Sequence, residues 1–169
     1  MGDAGGGSIE QTLVLLKPDA VARGLTGRIT QRFEDALLKV VGAKMVLMDA
    51  AFTRQHYSDL EERLGSEVYN LTAAFMQTGP VLALVLEGVD VVKTVRKIVG
   101  LTYPNEAAPG TVRGDFAHQS RAYAIGHGLP VANLVHASGN VEEAKREVEL
   151  WFTPAELFSY PAAADAYAV

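Results

Sequence analysis

Of the four histidines in this 169-residue chain, His136 has the neighbours that chemistry would need. It follows the apolar pair Leu134 and Val135 and precedes Ala137, Ser138 and Gly139, where the chain can turn. Asn140 can cap the next helix with Glu143 three residues on, a capping-box pattern that fixes where the helix starts and so presents His136. On that helix Val141, Ala144, Val148 and Trp151 make the buried stripe, with Glu147 at its flank. A carboxylate there can point back at the histidine. Its hydrogen bond would fix one ring nitrogen as donor and leave the other a free lone pair, which a nucleophilic imidazole requires. For this segment alone, a solvated Glu147 and a histidine that only closes a turn is the more ordinary reading. His56, His118 and His127 show no metal-ligand spacing and read as surface or loop residues.

Basic residues bear on that choice. Lys17 ends the first apolar run, Arg63 lies just before a helix that begins near Ser66, Arg96 flanks the buried face of its helix, and Arg113 sits in "GTVRGDF". Singly, each is an ordinary surface cation. Gathered beside His136 they would clamp a polyphosphate, the arginines by geometry and the lysine as a point charge. Neither a G-x-x-x-x-G-K-[ST] loop nor a strand followed by G-x-G-x-x-G is present, and no H-E-x-x-H or EF-hand loop occurs. With no cysteine there is no disulfide framework or thiolate zinc site, and a structural metal is not expected. The net charge of −5 gives no footprint for a dedicated nucleic-acid binder, so any phosphate site must concentrate its cations locally.

The elements that would position these groups follow from periodicity. "TLVLL" reads as a strand buried on both faces and stopped by Pro18. Ile29, Phe33, Leu37 and Val40 recur at helical spacing between Thr26 and Val41, with Gly42 as a stop, and "AKMVLMDA" reads as a strand. Thr53 is expected to cap a helix carrying Tyr57, Leu60 and Leu64, followed by a helix from about Ser66 to Met76 with Val68, Leu71 and Phe75 on one face. "PVLALVLEG" is a third strand. Asp90 can cap a helix with a Val91, Val92, Val95, Ile98, Val99 stripe that ends at Gly100, and "VANLVHA" is the last strand before the helix of Glu147. Two βαβ halves of this kind predict a ferredoxin-like α+β sandwich, βαββαβ, an antiparallel sheet with helices packed on one face. Residues 101–116 and 117–131 form long polar, Gly- and Pro-containing connections, the first place to look for a site.

With the motifs in order, the chain resembles the nucleoside diphosphate kinase family from about Glu10 to Tyr160. The resemblance rests on "LVLLKPDAVARG", "RITQRFE", "HYSDL", "TGPVLALVLEG", "APGTVRGDF", "NLVHAS" and "EVELWFTPAEL". It implies an enzyme that moves the γ-phosphoryl of a nucleoside triphosphate to a nucleoside diphosphate by a ping-pong route through a phosphohistidine. By position, His136 is the nucleophile, Glu147 its orienting carboxylate, and Tyr57 and Ser138 its supports. Lys17, Arg63, Arg96, Thr102, Arg113 and Asn133 match positions that hold phosphates and sugar, with magnesium bridging the β- and γ-phosphates rather than bound by protein ligands. A homo-oligomer, hexamer or tetramer built from dimers, is implied as well.

The chain departs from the family in three places. Ala137, Ser138 and Gly139 stand where Gly-Ser-Asp is usual, which removes an acid beside the nucleophile. Between "HYSDLEER" and "TGP" it is about three residues longer, so the base-stacking position falls on Val68 or Tyr69. About ten residues are inserted between Phe116 and Asn133, near the second base contact at Pro130 or Val131, and an oligomer contact or a disordered loop is favoured there over a lid. A catalytically impaired nucleotide-binding scaffold is the alternative these departures keep open. Residues 1–9 are expected to be a flexible Gly-rich tail and 10–169 a single domain with an insertion near 117–131. The longest apolar run, "VLALVL", is far short of the roughly 20 residues of a membrane span, and the expected compartment is the cytoplasm.

Overall fold

A computed structural model of the chain describes residues 8–162 and 165–168, so residues 1–7 of the expected tail lie outside the described residues. Four strands, β1 (Ile9–Leu16), β2 (Lys39–Val46), β3 (Val81–Val89) and β4 (Val135–Ala137), form one antiparallel sheet in the order β2-β3-β1-β4. That is the ferredoxin-like arrangement the alternating pattern predicts. β1 is central, and Leu13, Val14, Leu15 and Leu16 are all fully buried. Its uninterrupted apolar run thus feeds two cores.

Both faces of the sheet are covered, which corrects the expectation of helices on one side. Val14 and Leu16 face Ile29 and Phe33 of α2 (Thr26–Glu34) and the valine stripe of α6 (Val91–Val99). Leu13 and Leu15 face Met76 of α5 (Ser66–Met76) and Val148 and Trp151 of α9 (Val141–Trp151). The short α1 (Pro18–Ala22) takes Pro18 in its first turn, α3 (Ala50–His56) and α4 (Leu60–Leu64) precede α5, and α7 (Val112–Phe116) and α8 (Arg121–Gly126) lie in the two long connections.

Several boundaries differ from the periodic reading for identifiable reasons. The second helix stops at Glu34, because Leu37 takes a left-handed φ of 62° and the chain closes with Leu37 N–H to Glu34 O and Leu38 N–H to Phe33 O. This is a Schellman ending with a leucine at the position glycine usually fills, so it left no signal. Val40 and Gly42 belong to β2, with a bulge between them. A Cβ on Gly42 would come within 2.8 Å of a Leu157 methyl, so glycine there lets the C-terminal segment pack against β2. The cap of α3 is Asp49, whose carboxylate accepts from Phe52 N–H at 2.7 Å, and Thr53 lies inside the helix. Asp90 precedes α6 with a φ of 47° and no side-chain cap bond, and "VANLVHA" yields only the three residues of β4.

Candidate active site

His136 sits on β4 opposite Leu15 of the central strand, at the floor of a cleft of about 590 Å³. Its Nε2 lies 2.9 Å from Oε1 of Glu147, and Ser138 Oγ donates to the other carboxylate oxygen at 2.6 Å. Glu147 is nearly sealed on the inner face of α9. Burial works to raise its carboxyl, yet His136, by charge and hydrogen bond, together with His56 and Ser138, holds it below the usual range. An ionised carboxylate only accepts, so Nε2 carries the proton and Nδ1 keeps the lone pair.

The backbone before His136 is under strain and is held there. Leu134 has a φ of 69°, and Val135 N–H bonds back to Asn133 O at 2.8 Å, which makes a tight γ-turn. Four groups remote in sequence fix it. Lys17 Nζ donates to Asn133 Oδ1 at 2.8 Å, while Asn133 Nδ2 donates to Thr102 O at 2.8 Å. Leu134 N–H donates to Asp19 Oδ2 at 3.1 Å. Arg113 spans the turn, Nε to Asn133 O at 3.1 Å and Nη2 to Val135 O at 2.6 Å, and its Nη1 reaches Gly100 O at 2.9 Å. Three of the five guanidinium N–H groups are so used, and two are not taken up by the turn. Burial first, then Arg113, pulls Lys17 down to about 8, against the pull of Asp19; burial and Arg96 bring Arg113 to about 10, still charged at neutral pH.

The remaining expected residues fall into two groups. Arg63, Val68, Arg96, Thr102 and Tyr57 line the cleft with Lys17, Arg113, Asn133 and His136. Arg63 is held by Asp59 at 2.9 Å, at the exposed rim. The Tyr57 hydroxyl is buried without a hydrogen-bond partner among the described residues, and burial, then Glu147, pushes its pKa up. Tyr69 does not reach the cleft. It is buried with Leu60 and Ala73 under the Arg54 guanidinium, 3.8 Å from the ring centre, because the α5 face that packs inward carries Tyr69, Ala73 and Met76. The 68, 71, 75 stripe is real but turns to the cleft, so Val68 lines it and Tyr69 does not.

His56 was not legible as a site neighbour, and the surface reading fails for it. It is buried behind His136, ring centres 4.7 Å apart, its Nδ1 accepting from Trp151 Nε1 at 3.2 Å. Burial, then His136, drives its pKa down to about 3, so it packs as a neutral ring. The capping box at α9 is half made: Asn140 Oδ1 accepts from Glu143 N–H at 2.8 Å, but the Glu143 carboxylate turns toward Gly139 instead of Asn140. A Cβ on Gly139 would sit 2.7 Å from Glu143 Oε2. The Glu143 carboxylate, one helical turn further on, therefore fills the space that a side chain at 139 would enter. Among the described residues His56, His136 and Glu147 are the only close ligand group, and it is nitrogen-rich and already hydrogen-bonded, a poor match for a hard cation that wants oxygens.

A sequence model of the family described as nucleoside diphosphate kinase matches residues 10–157. The chain is 44% identical over 156 residues to nucleoside diphosphate kinase of Pyrococcus horikoshii, covering 92% of this chain and 93% of that protein. It is 40% identical over 154 residues to the enzyme of Borreliella burgdorferi, covering 90% and 92%. A solved structure of the nucleoside-diphosphate kinase from Borrelia burgdorferi, a transition-state mimic with bound vanadate and ADP, superposes with a TM-score of 0.92 at 38% identity, over 95% of this chain and 96% of that one.

Proposed function

The chain belongs to the nucleoside diphosphate kinase family and is a nucleotide-binding phosphotransferase, and from that premise we propose that the reaction runs through His136. The observation that carries this reading is the His136 Nε2 to Glu147 bond, which leaves Nδ1 as the free nucleophile in a cleft lined with cations. Nδ1 attacks the γ-phosphorus of a nucleoside triphosphate, an N–P bond forms, the bond to the β–γ bridging oxygen breaks, and the nucleoside diphosphate departs. The ring then holds a substituent on both nitrogens and a positive charge, which the Glu147 carboxylate balances. A terminal oxygen of a second diphosphate reverses the step. Phosphoryl transfer asks mainly for alignment and charge neutralisation, which the pinned turn and the Lys17, Arg63, Arg96 and Arg113 set would supply, with Thr102 and Asn133 at the sugar and phosphates. Tyr57 and Ser138 support the dyad, and Val68 meets the base.

Magnesium would be carried in with the nucleotide and would neutralise part of the phosphate charge, since the His56, His136 and Glu147 group does not suit it. A homo-oligomer, hexamer or tetramer built from dimers, is supported by β2, an edge strand with Met45 and, just beyond it, Leu47 both exposed. No helix among the described residues is long and apolar enough to cross a membrane, and the cytoplasm, where nucleotides are exchanged, is the compartment we assign. Incubation with γ-labelled ATP should give an acid-labile, alkali-stable phosphoryl group on the wild type and none on His136→Ala. An unlabelled wild type, or a labelled His136→Ala, would overturn the assignment.

A further inference from the structure

The inserted segment is a built element with an orientation. Ser120 Oγ caps α8 by accepting from Tyr123 N–H at 3.1 Å, and the helix closes in a Schellman motif: Gly128, φ 60°, donates to Ile125 O at 3.1 Å and Leu129 N–H to Ala124 O at 2.9 Å. That closure folds Leu129 back over Ala124. The two ends of the loop are joined where Gln119 Oε1 accepts from Ala132 N–H at 2.7 Å, the compact form of an Ω-loop.

Helical geometry then sorts its side chains. Arg121, Ala124 and Ile125 share one face, and that face lines the cleft with Leu129. Tyr123 and His127 lie on the other and stack on each other, 4.1 Å between ring centres. Ile125 is 65% exposed and Leu129 42%, which is costly for apolar groups with nothing to cover them. The rest of the cleft wall includes Leu64 and Val68 at the ends of α4 and α5, also exposed, whereas Lys17 and Arg113 are buried at the floor. An occupant with a charged end and a flat apolar end would cover both sets of groups.

We infer that Ile125 and Leu129 of the insertion are base-binding residues that grip the nucleobase against Leu64 and Val68. This rests on the phosphotransfer reading above, with the nucleotide's phosphates at the floor. An apolar slot holds any base through its π-face without reading its edge, so the lip would strengthen binding of purine and pyrimidine nucleotides alike.

The test compares two phosphoryl donors, ATP and phosphoramidate, which has no base, by following label uptake on His136. In the double variant Ile125→Ser, Leu129→Ser, kcat/KM with ATP should fall about tenfold, the loss expected for exposing contacts of this size, mostly through KM. Uptake from phosphoramidate should be unchanged, and Tyr123→Ser on the outer face should leave both within twofold. An unchanged ATP reaction would show that the lip does not touch the base. A parallel loss with both donors, or an equal loss in Tyr123→Ser, would show that α8 merely supports the fold of the site. A wild type that takes label from neither donor would instead sink the phosphotransfer reading.

Discussion

At the floor of the cleft, Glu147 and Ser138 are nearly or fully buried, His136 is half-buried, and the turn ahead of it is held by Lys17, Asp19, Thr102 and Arg113. At the rim, Arg63, Leu64, Val68, Ile125 and Leu129 are exposed and come from helices, or for Leu129 the turn after α8, rather than from the sheet. A floor group has no alternative partner and little room to move, so removing it leaves a buried charge or donor unpaired. A rim group meets water when the cleft is empty, so removing it costs only the contact it makes with the ligand. The floor should therefore govern turnover and the rim affinity.

The largest effect is expected at Arg113. Arg113→Ala removes both the clamp on the turn and the cation proposed to meet the phosphates, and turnover at saturating nucleotide should fall on the order of 10²-fold or more. An unchanged kcat would erase the distinction between floor and rim. Next comes Glu147→Gln, which keeps an acceptor for His136 but loses the charge that balances the phosphorylated ring. A fall of roughly 10- to 100-fold in kcat with KM little changed is expected, the difference between a charged and a neutral hydrogen bond at a buried site.

The pH profile sharpens the same comparison. Lys17 stays protonated below about 8 in the free protein and loses its charge above it, so kcat/KM should decline by up to about tenfold per pH unit on the alkaline side. Lys17→Arg should remove that limb, whatever its maximum. On the acid side the group to watch is His56. Its folded pKa of about 3 lies below the value of roughly 6.5 expected when unfolded, so the unfolded chain binds the extra proton between those limits. Stability should fall as pH drops through that window, by a few kcal/mol at most, and His56→Phe should flatten this part of the thermal-midpoint profile. The smallest effect belongs to the rim: Val68→Ala should raise KM for nucleotides about two- to threefold and leave kcat alone.

The sequence made the floor legible and the rim much less so. His136, Glu147 and the cations stand out because their residue types are costly to place without a reason, and ordered motifs link them. β1, α5, β3, α6 and α9 could be read because period and stop signals agree in them. Leu37 broke the second helix without a glycine to announce it, and Asp49 took the cap expected of Thr53. His56 gave no sign because burial behind His136 depends on how α3 meets α9, a contact between segments far apart in the chain. For Val68 and Tyr69, adjacent residues about 100° apart on a helix, the choice turned on which face packs inward, and only tertiary structure decides that.

Glu143 occupies the space beside Gly139 from the first turn of α9, where a shorter acid on the preceding loop would be the family's usual device. Delivered this way, the negative charge has one more rotatable bond and stands only while that turn is wound. The negative charge at this edge of the cleft thus becomes conditional on helix fraying: when the first turn opens, the acid withdraws with it.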